Sequence, residues 1–122
     1  MKKLAISVFI CLPVLALCAA GNSNGIEGEI SDSQCALNVH SLNRSHAEMI
    51  AKQTLGTDAA SCARACVRRG GEWVLRSGEK VYRLKNQAGV ERFSGKKVKV
   101  FGLLDSKTET IDNAIIEGLG NR

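Results

Sequence analysis

The sequence carries no H-E-x-x-H, no G-x-S-x-G and no glycine-rich phosphate loop. The usual signatures of zinc proteases, serine hydrolases and phosphate-binding loops are therefore missing. Its closest cysteine pair is spaced C-x-x-x-C rather than the C-x-x-C of thiol oxidoreductases, and no thioredoxin-like βαβ order surrounds it. Aromatic residues make up only 4% of the chain, few enough for all of them to lie in a core. There is no internal repeat and no low-complexity tract, and like charges never run beyond two or three residues. That pattern speaks against repeat architectures and charged tails.

What is present starts with the N-terminus. Lys2 and Lys3 precede Leu4 to Leu17, an apolar stretch broken only by Ser7 and Pro13, and Cys18-Ala19-Ala20 then lead into a polar G-N-S-N-G. This is the layout of a cleaved secretory signal, too short for a membrane span, and it places the cut between Ala20 and Gly21. A lipid-anchored reading of Cys18 meets a large Leu17 where a small residue is wanted. The expected organisation is a signal over 1–20, a flexible leader over 21–25 and a single domain over 26–122. The mature protein would be exported, periplasmic or secreted, with no membrane span. Removing 20 of the 122 residues leaves 102, enough for one small domain, and the formal charge falls from +5 to +3. A mildly basic chain of this kind does not demand an anionic partner. Cys11 and Cys18 leave with the signal, so Cys35, Cys62 and Cys66 remain, an odd number for an oxidising compartment.

The hydrophobic period changes twice along the chain. Ile26 to Ile30 alternates and reads as a strand ending at Ser31-Asp32. Ser45-His46-Ala47-Glu48 has capping-box spacing for a helix to about Leu55, and Asp58 can cap a second helix to Arg69, stopped by Gly70-Gly71. Strands then follow over Trp73–Arg76 and Val81–Leu84 around a Ser77-Gly78-Glu79 turn, a short helical turn lies within 86–93, and two last strands cover Lys97–Leu104 and Thr110–Glu117. Ile26, Ile30, Val98, Val100, Ile111 and Ile115 are the expected inward residues of the first and last two strands. The expected fold is mainly β with a helical insertion (α+β): a small five-stranded Greek-key barrel of oligonucleotide/oligosaccharide-binding (OB) type, with two helices between strands one and two. An open α+β sheet with helices on one face is the competing architecture.

G-E-I-S-D-S-Q-C (28–35), C-A-R-A-C-V (62–67), W-V-L (73–75) with K-V-Y-R-L (80–84), and G-K-K-V-K-V-F-G-L (95–103) occur in that order. Together they resemble a family of small secreted bacterial proteins of unknown function with a G-x-I-x-D-S-x-C start, a C-x-x-x-C helix and a G-K-x-V-x-V-x-G strand. The resemblance covers nearly the whole mature chain. It implies a secreted barrel-like domain with clustered cysteines and no established activity. Ala36 stands where relatives often have glycine after the cysteine, and His40 lies five residues beyond Cys35.

The cysteines can be weighed physically. Positions four apart on a helix have Cβ atoms about 5–6 Å apart, whereas a disulfide wants roughly 3.5–4.5 Å. A Cys62–Cys66 bridge would strain the helix. Two thiolates on one metal fit more easily, with metal–sulfur bonds of about 2.3 Å on each side. Ala59, Cys62, Ala63, Cys66 and Val67 also form one apolar stripe, so both cysteines can be read as core. Three outcomes stay open: a disulfide from Cys35 to Cys62 or Cys66, a metal site using all three cysteines, and plain buried thiols. For a metal site the fourth ligand is His40, with His46 and Met49 as alternates. The donor set then suits zinc or copper(I), and Asp32 could accept a proton from a ligand histidine. A thiol redox role near Arg64 and Arg69 is a further reading, although the arginines project away from the cysteine stripe.

A binding face is expected from Trp73, Tyr82, Arg83, Lys85, Lys97 and Lys99, with Phe93 and Phe101 nearby. After export an anionic glycan or an acidic protein suits these cations better than nucleic acid.

Overall fold

The computed structural model describes residues 21–36, 51 and 57–120. Five strands form one closed sheet: β1 (Ile26–Asp32), β2 (Trp73–Ser77), β3 (Lys80–Leu84), β4 (Lys97–Asp105) and β5 (Thr110–Gly118). Their order around the sheet is β1-β2-β3-β5-β4, and β1 pairs with β4 to close it. All neighbours run antiparallel except β3 and β5, which are parallel. The open-sheet alternative is therefore excluded. The helices α1 (Ser33–Ala36) and α2 (Ala59–Arg68) lie between β1 and β2, and a 3-10 turn (Val90–Phe93) follows β3.

Each element has a local cause. In β1, Ile26, Gly28, Ile30 and Asp32 share one face, and β1 divides its length between two partners. Ile26 to Glu29 pair with Val100 to Lys97, and Glu29 to Asp32 pair with Arg76 to Trp73. Gly28 sits at this hand-over, where a Cβ would collide with the Arg76 carbonyl oxygen. The β2–β3 hairpin turns at Gly78, whose φ of +59° favours glycine. Its other end is bracketed by Gln87. The Gln87 carboxamide accepts from Trp73 N–H at 2.6 Å and donates to the Trp73 and Leu84 carbonyls at 3.0 and 2.6 Å. Inside the barrel Ile30, Trp73, Leu75, Leu84, Val90, Val98, Val100 and Ile111 form the core, with Ala63 of α2 closing one end.

One expected inward residue points out. Ile111 is 2% exposed but Ile115 is 64% exposed. Leu103 pairs with Asp112 while Phe101 pairs with Ile115, so β5 uses one residue more than β4 across that interval. Asn113, at φ +50°, is part of this bulge, and Gly102 opposite it has no room for a Cβ because Asp112 O would lie 2.7 Å away. The extra residue flips the alternation, so Ala114 and Ile116 pack inward in place of Ile115.

The segment over 21–25, expected as a flexible leader, makes backbone contacts with β4 and within itself. Gly21 bridges to Leu103, Asn22 N–H donates to the Gly102 carbonyl at 3.0 Å, and Gly25 N–H donates to Asn22 O at 3.3 Å. The expected signal over 1–20 lies outside the described residues. So does most of the helix expected over 45–55, of which only Ala51 is described, as helical and exposed.

Candidate metal centre

Three side chains meet where the first strand ends. Asp32 closes the β1–β2 ladder opposite Trp73, and the chain then makes the single turn α1. That turn is held by Asp32 Oδ1, which accepts from Gln34 N–H at 3.0 Å and Cys35 N–H at 2.9 Å. Ser33 fastens the same turn to the chain before β2: its N–H donates to Glu72 O at 2.8 Å and its hydroxyl accepts from Glu72 N–H at 3.0 Å. Cys35 is thereby fixed just beyond the barrel rim and is half-buried.

Cys62 and Cys66 arrive from α2. Asp58 caps this helix through a reciprocal pair, its carboxylate accepting from Ser61 N–H at 2.8 Å and its own N–H donating to the Ser61 hydroxyl at 3.2 Å. At the other end Gly71 N–H reaches Cys66 O and Gly70 N–H reaches Val67 O, both at 3.0 Å, with Gly70 at φ +100°. The helix lies against the loop after the 3-10 turn, where the Ser94 hydroxyl donates to Ala60 O at 2.8 Å. The apolar stripe read from the sequence divides in two. Ala63 and Val67 face the barrel core, while Cys62 and Cys66, both 0% exposed, stand outside that cluster.

The three sulfurs all lie within 4.8 Å of one another, and Cys35 Sγ is 4.0 Å from Cys66 Sγ. All three are free thiols. Burial is the largest influence on each and pushes all three away from ionisation, with the negative charge of Asp32 acting in the same direction. The Cys66 thiol is pushed up to about 11. This is opposite to the lowered thiol that a redox nucleophile needs.

His40, His46 and Met49 lie outside the described residues. The expected binding face is rearranged. Trp73 is 5% exposed and belongs to the core, and Tyr82 packs against that core, because both share the inward face of the β2–β3 hairpin with Leu75. Arg83, Lys85, Lys97 and Lys99 stay on the outside, largely beside carboxylates. Lys85 pairs with Asp112 at 2.7 Å and Lys99 with Glu27 at 3.4 Å, while Lys97 lines a cleft with Glu27 and Glu29. One residue that sequence reading passes over, Ser33, fastens the turn that carries Cys35.

No family model, no curated protein and no solved structure matches this chain.

Proposed function

We propose that this is an exported, non-catalytic binding domain that holds one soft metal ion, zinc or copper(I), through Cys35, Cys62 and Cys66. The carrying observation is the set of three unbonded sulfurs within 4.8 Å of one another, drawn from two separate elements. A tetrahedral zinc with bonds of about 2.3 Å to each sulfur brings thiolates to comparable separations. The barrel is taken as one of the OB type, a reading supported by the 1-2-3-5-4 strand order, the parallel β3–β5 pair and the helical turn after β3. Export rests on the charged, apolar and small-residue succession before Gly21 and agrees with the proposed kinship to small secreted bacterial proteins. The external cations Arg83, Lys85, Lys97 and Lys99 offer at most a weak surface for an anionic glycan or protein, since carboxylates already stand beside several of them.

Thiol titration of the purified exported protein, run beside elemental metal analysis, tests this reading. One equivalent of metal is expected, with three thiols becoming reactive only after a chelator removes it. Each single Cys→Ser change should weaken binding by a similar factor. A mass two hydrogens short with a single reactive thiol would instead identify a disulfide from Cys35 to Cys62 or Cys66. The domain would then be a disulfide-stabilised module and the metal reading would fail.

A further inference from the structure

Among the described residues one buried side-chain oxygen has no hydrogen-bond partner, and it is Asp32 Oδ2. The residue is 0% exposed, and Oδ1 alone takes the Gln34 and Cys35 amides. Leaving a buried polar atom unpaired is costly, and more so for a charged group. The surroundings make the orphan harder to explain as ordinary structure. The carboxylate shares one turn with Cys35, whose thiol it also holds by a hydrogen bond, and its charge is felt by all three thiols. Three thiols and a carboxylate, four groups able to become anionic, are thus held near one another at the end of β1 and on α2.

We infer that Asp32 supplies the fourth donor of the metal site through Oδ2, making a three-sulfur, one-oxygen set that takes a divalent ion of the zinc kind in preference to copper(I). This rests on the reading that the three cysteines hold a metal. Zinc accepts a carboxylate oxygen at about 2.0–2.2 Å alongside thiolates in a tetrahedron. Copper(I) is satisfied by soft sulfur and gains little from a hard oxygen. Charge points the same way, because a dication neutralises more of a buried anionic cluster than a monocation does. Asp32 stands outside the set of mutually close atoms formed by the sulfurs, so the ion has to draw Oδ2 inward. That movement breaks no hydrogen bond at Oδ2, which makes none. Asp32 is then a ligand itself, in place of its expected part as proton acceptor for a ligand histidine.

Asp32→Asn is the discriminating variant. It keeps an oxygen acceptor for the two amides and replaces the anionic Oδ2 by a neutral amide nitrogen. Asp32→Ser, which also retains a turn-capping oxygen, serves if the first variant does not fold. Zinc and copper(I) affinities would be measured by competition with chromophoric chelators, and the coordination sphere read from the absorption of the cobalt(II) form. Loss of an outer hydrogen-bond partner typically costs about 10–100-fold in affinity, so loss of a ligand is expected to cost zinc about 100-fold or more. Copper(I) affinity should stay nearly unchanged, and the cobalt d–d bands should shift while the sulfur-to-cobalt intensity holds. The inference is overturned if Asp32→Asn leaves zinc affinity and the cobalt spectrum as in the wild type. It is equally overturned if both metals are lost in parallel, or if His40→Ala alters the d–d bands and Asp32→Asn does not. If the Cys→Ser variants retain zinc, the metal reading itself fails, which is a distinct result.

Discussion

Ile111 and Ile115 stand in one strand and look interchangeable in the sequence, yet one is sealed in the core and the other faces solvent. Ile111→Ala should cost about 2–5 kcal/mol through lost burial and the cavity left behind. Ile115→Thr should fall within about 0.5 kcal/mol of neutral, as surface changes usually do. Urea titrations of the two variants check the pair, and equal costs would put the bulge in the wrong place. The alternation in Ile26, Ile30, Val98 and Val100 was legible because nothing interrupts it. In β5 the only written sign of the bulge is Asp112-Asn113, and asparagine is one of the few residues that tolerates a positive φ. The cysteine cluster was legible from helical spacing and an odd thiol count. The state of Asp32 was not, since a turn-forming aspartate reads as fully used although its turn engages only one of two oxygens.

At the level of elements, α2 is the part whose limits the sequence states most plainly. Asp58, Ser61 and Gly70 sit where a cap, its reciprocal partner and a left-handed stop belong. The Ser61 amide, with help from the Ser61 hydroxyl, the Ala60 amide and Arg64, holds the Asp58 carboxyl below its ordinary 3.8. A depressed carboxyl stabilises the folded state above the unfolded value and loses that contribution as pH falls through the folded one. Asp58→Ala should therefore lower Tm at neutral pH, and the gap from the wild type should close as the pH drops below about 4. Melting curves by circular dichroism across that range check it; a gap that widens in acid would contradict the cap. Asp58→Asn, which keeps a capping oxygen, should recover most of the loss. The turn α1 was not legible, because four residues are too few to show a period. Nor was the division of the α2 stripe, which arises because the helix has two neighbours, the barrel end and the turn carrying Cys35.

For the molecule as a whole, closure depends on β1 serving two strands, and Gly28 sits where they change over. Gly28→Ala forces a methyl against the Arg76 carbonyl and should destabilise by on the order of 3 kcal/mol, the upper end for overpacking. An unchanged denaturation midpoint would show that the two partners can part without cost. Metal should act on the same global equilibrium, since a ligand that binds only the folded chain adds about 4.1 kcal/mol when present at 1,000 times its Kd. Zinc should accordingly raise Tm and a chelator lower it, while a Cys66→Ser variant should respond to neither. The circuit of strands also has a weakest stitch. β3 and β5 are joined only at Arg83–Thr110 and Leu84–Ile111, whereas β4 and β5 are laced from Asp105–Thr110 to Val98–Gly118. If the cylinder breathes it unzips along that seam, in which β1 takes no part. The amides of Arg83 and Lys85, which donate to Glu109 O and Ile111 O across it, should then take up deuterium well before those of Val98 and Val100. The barrel is in this sense a clasp with a hinge side and an opening side, and β1, which leads into the turn carrying Cys35, belongs to the hinge.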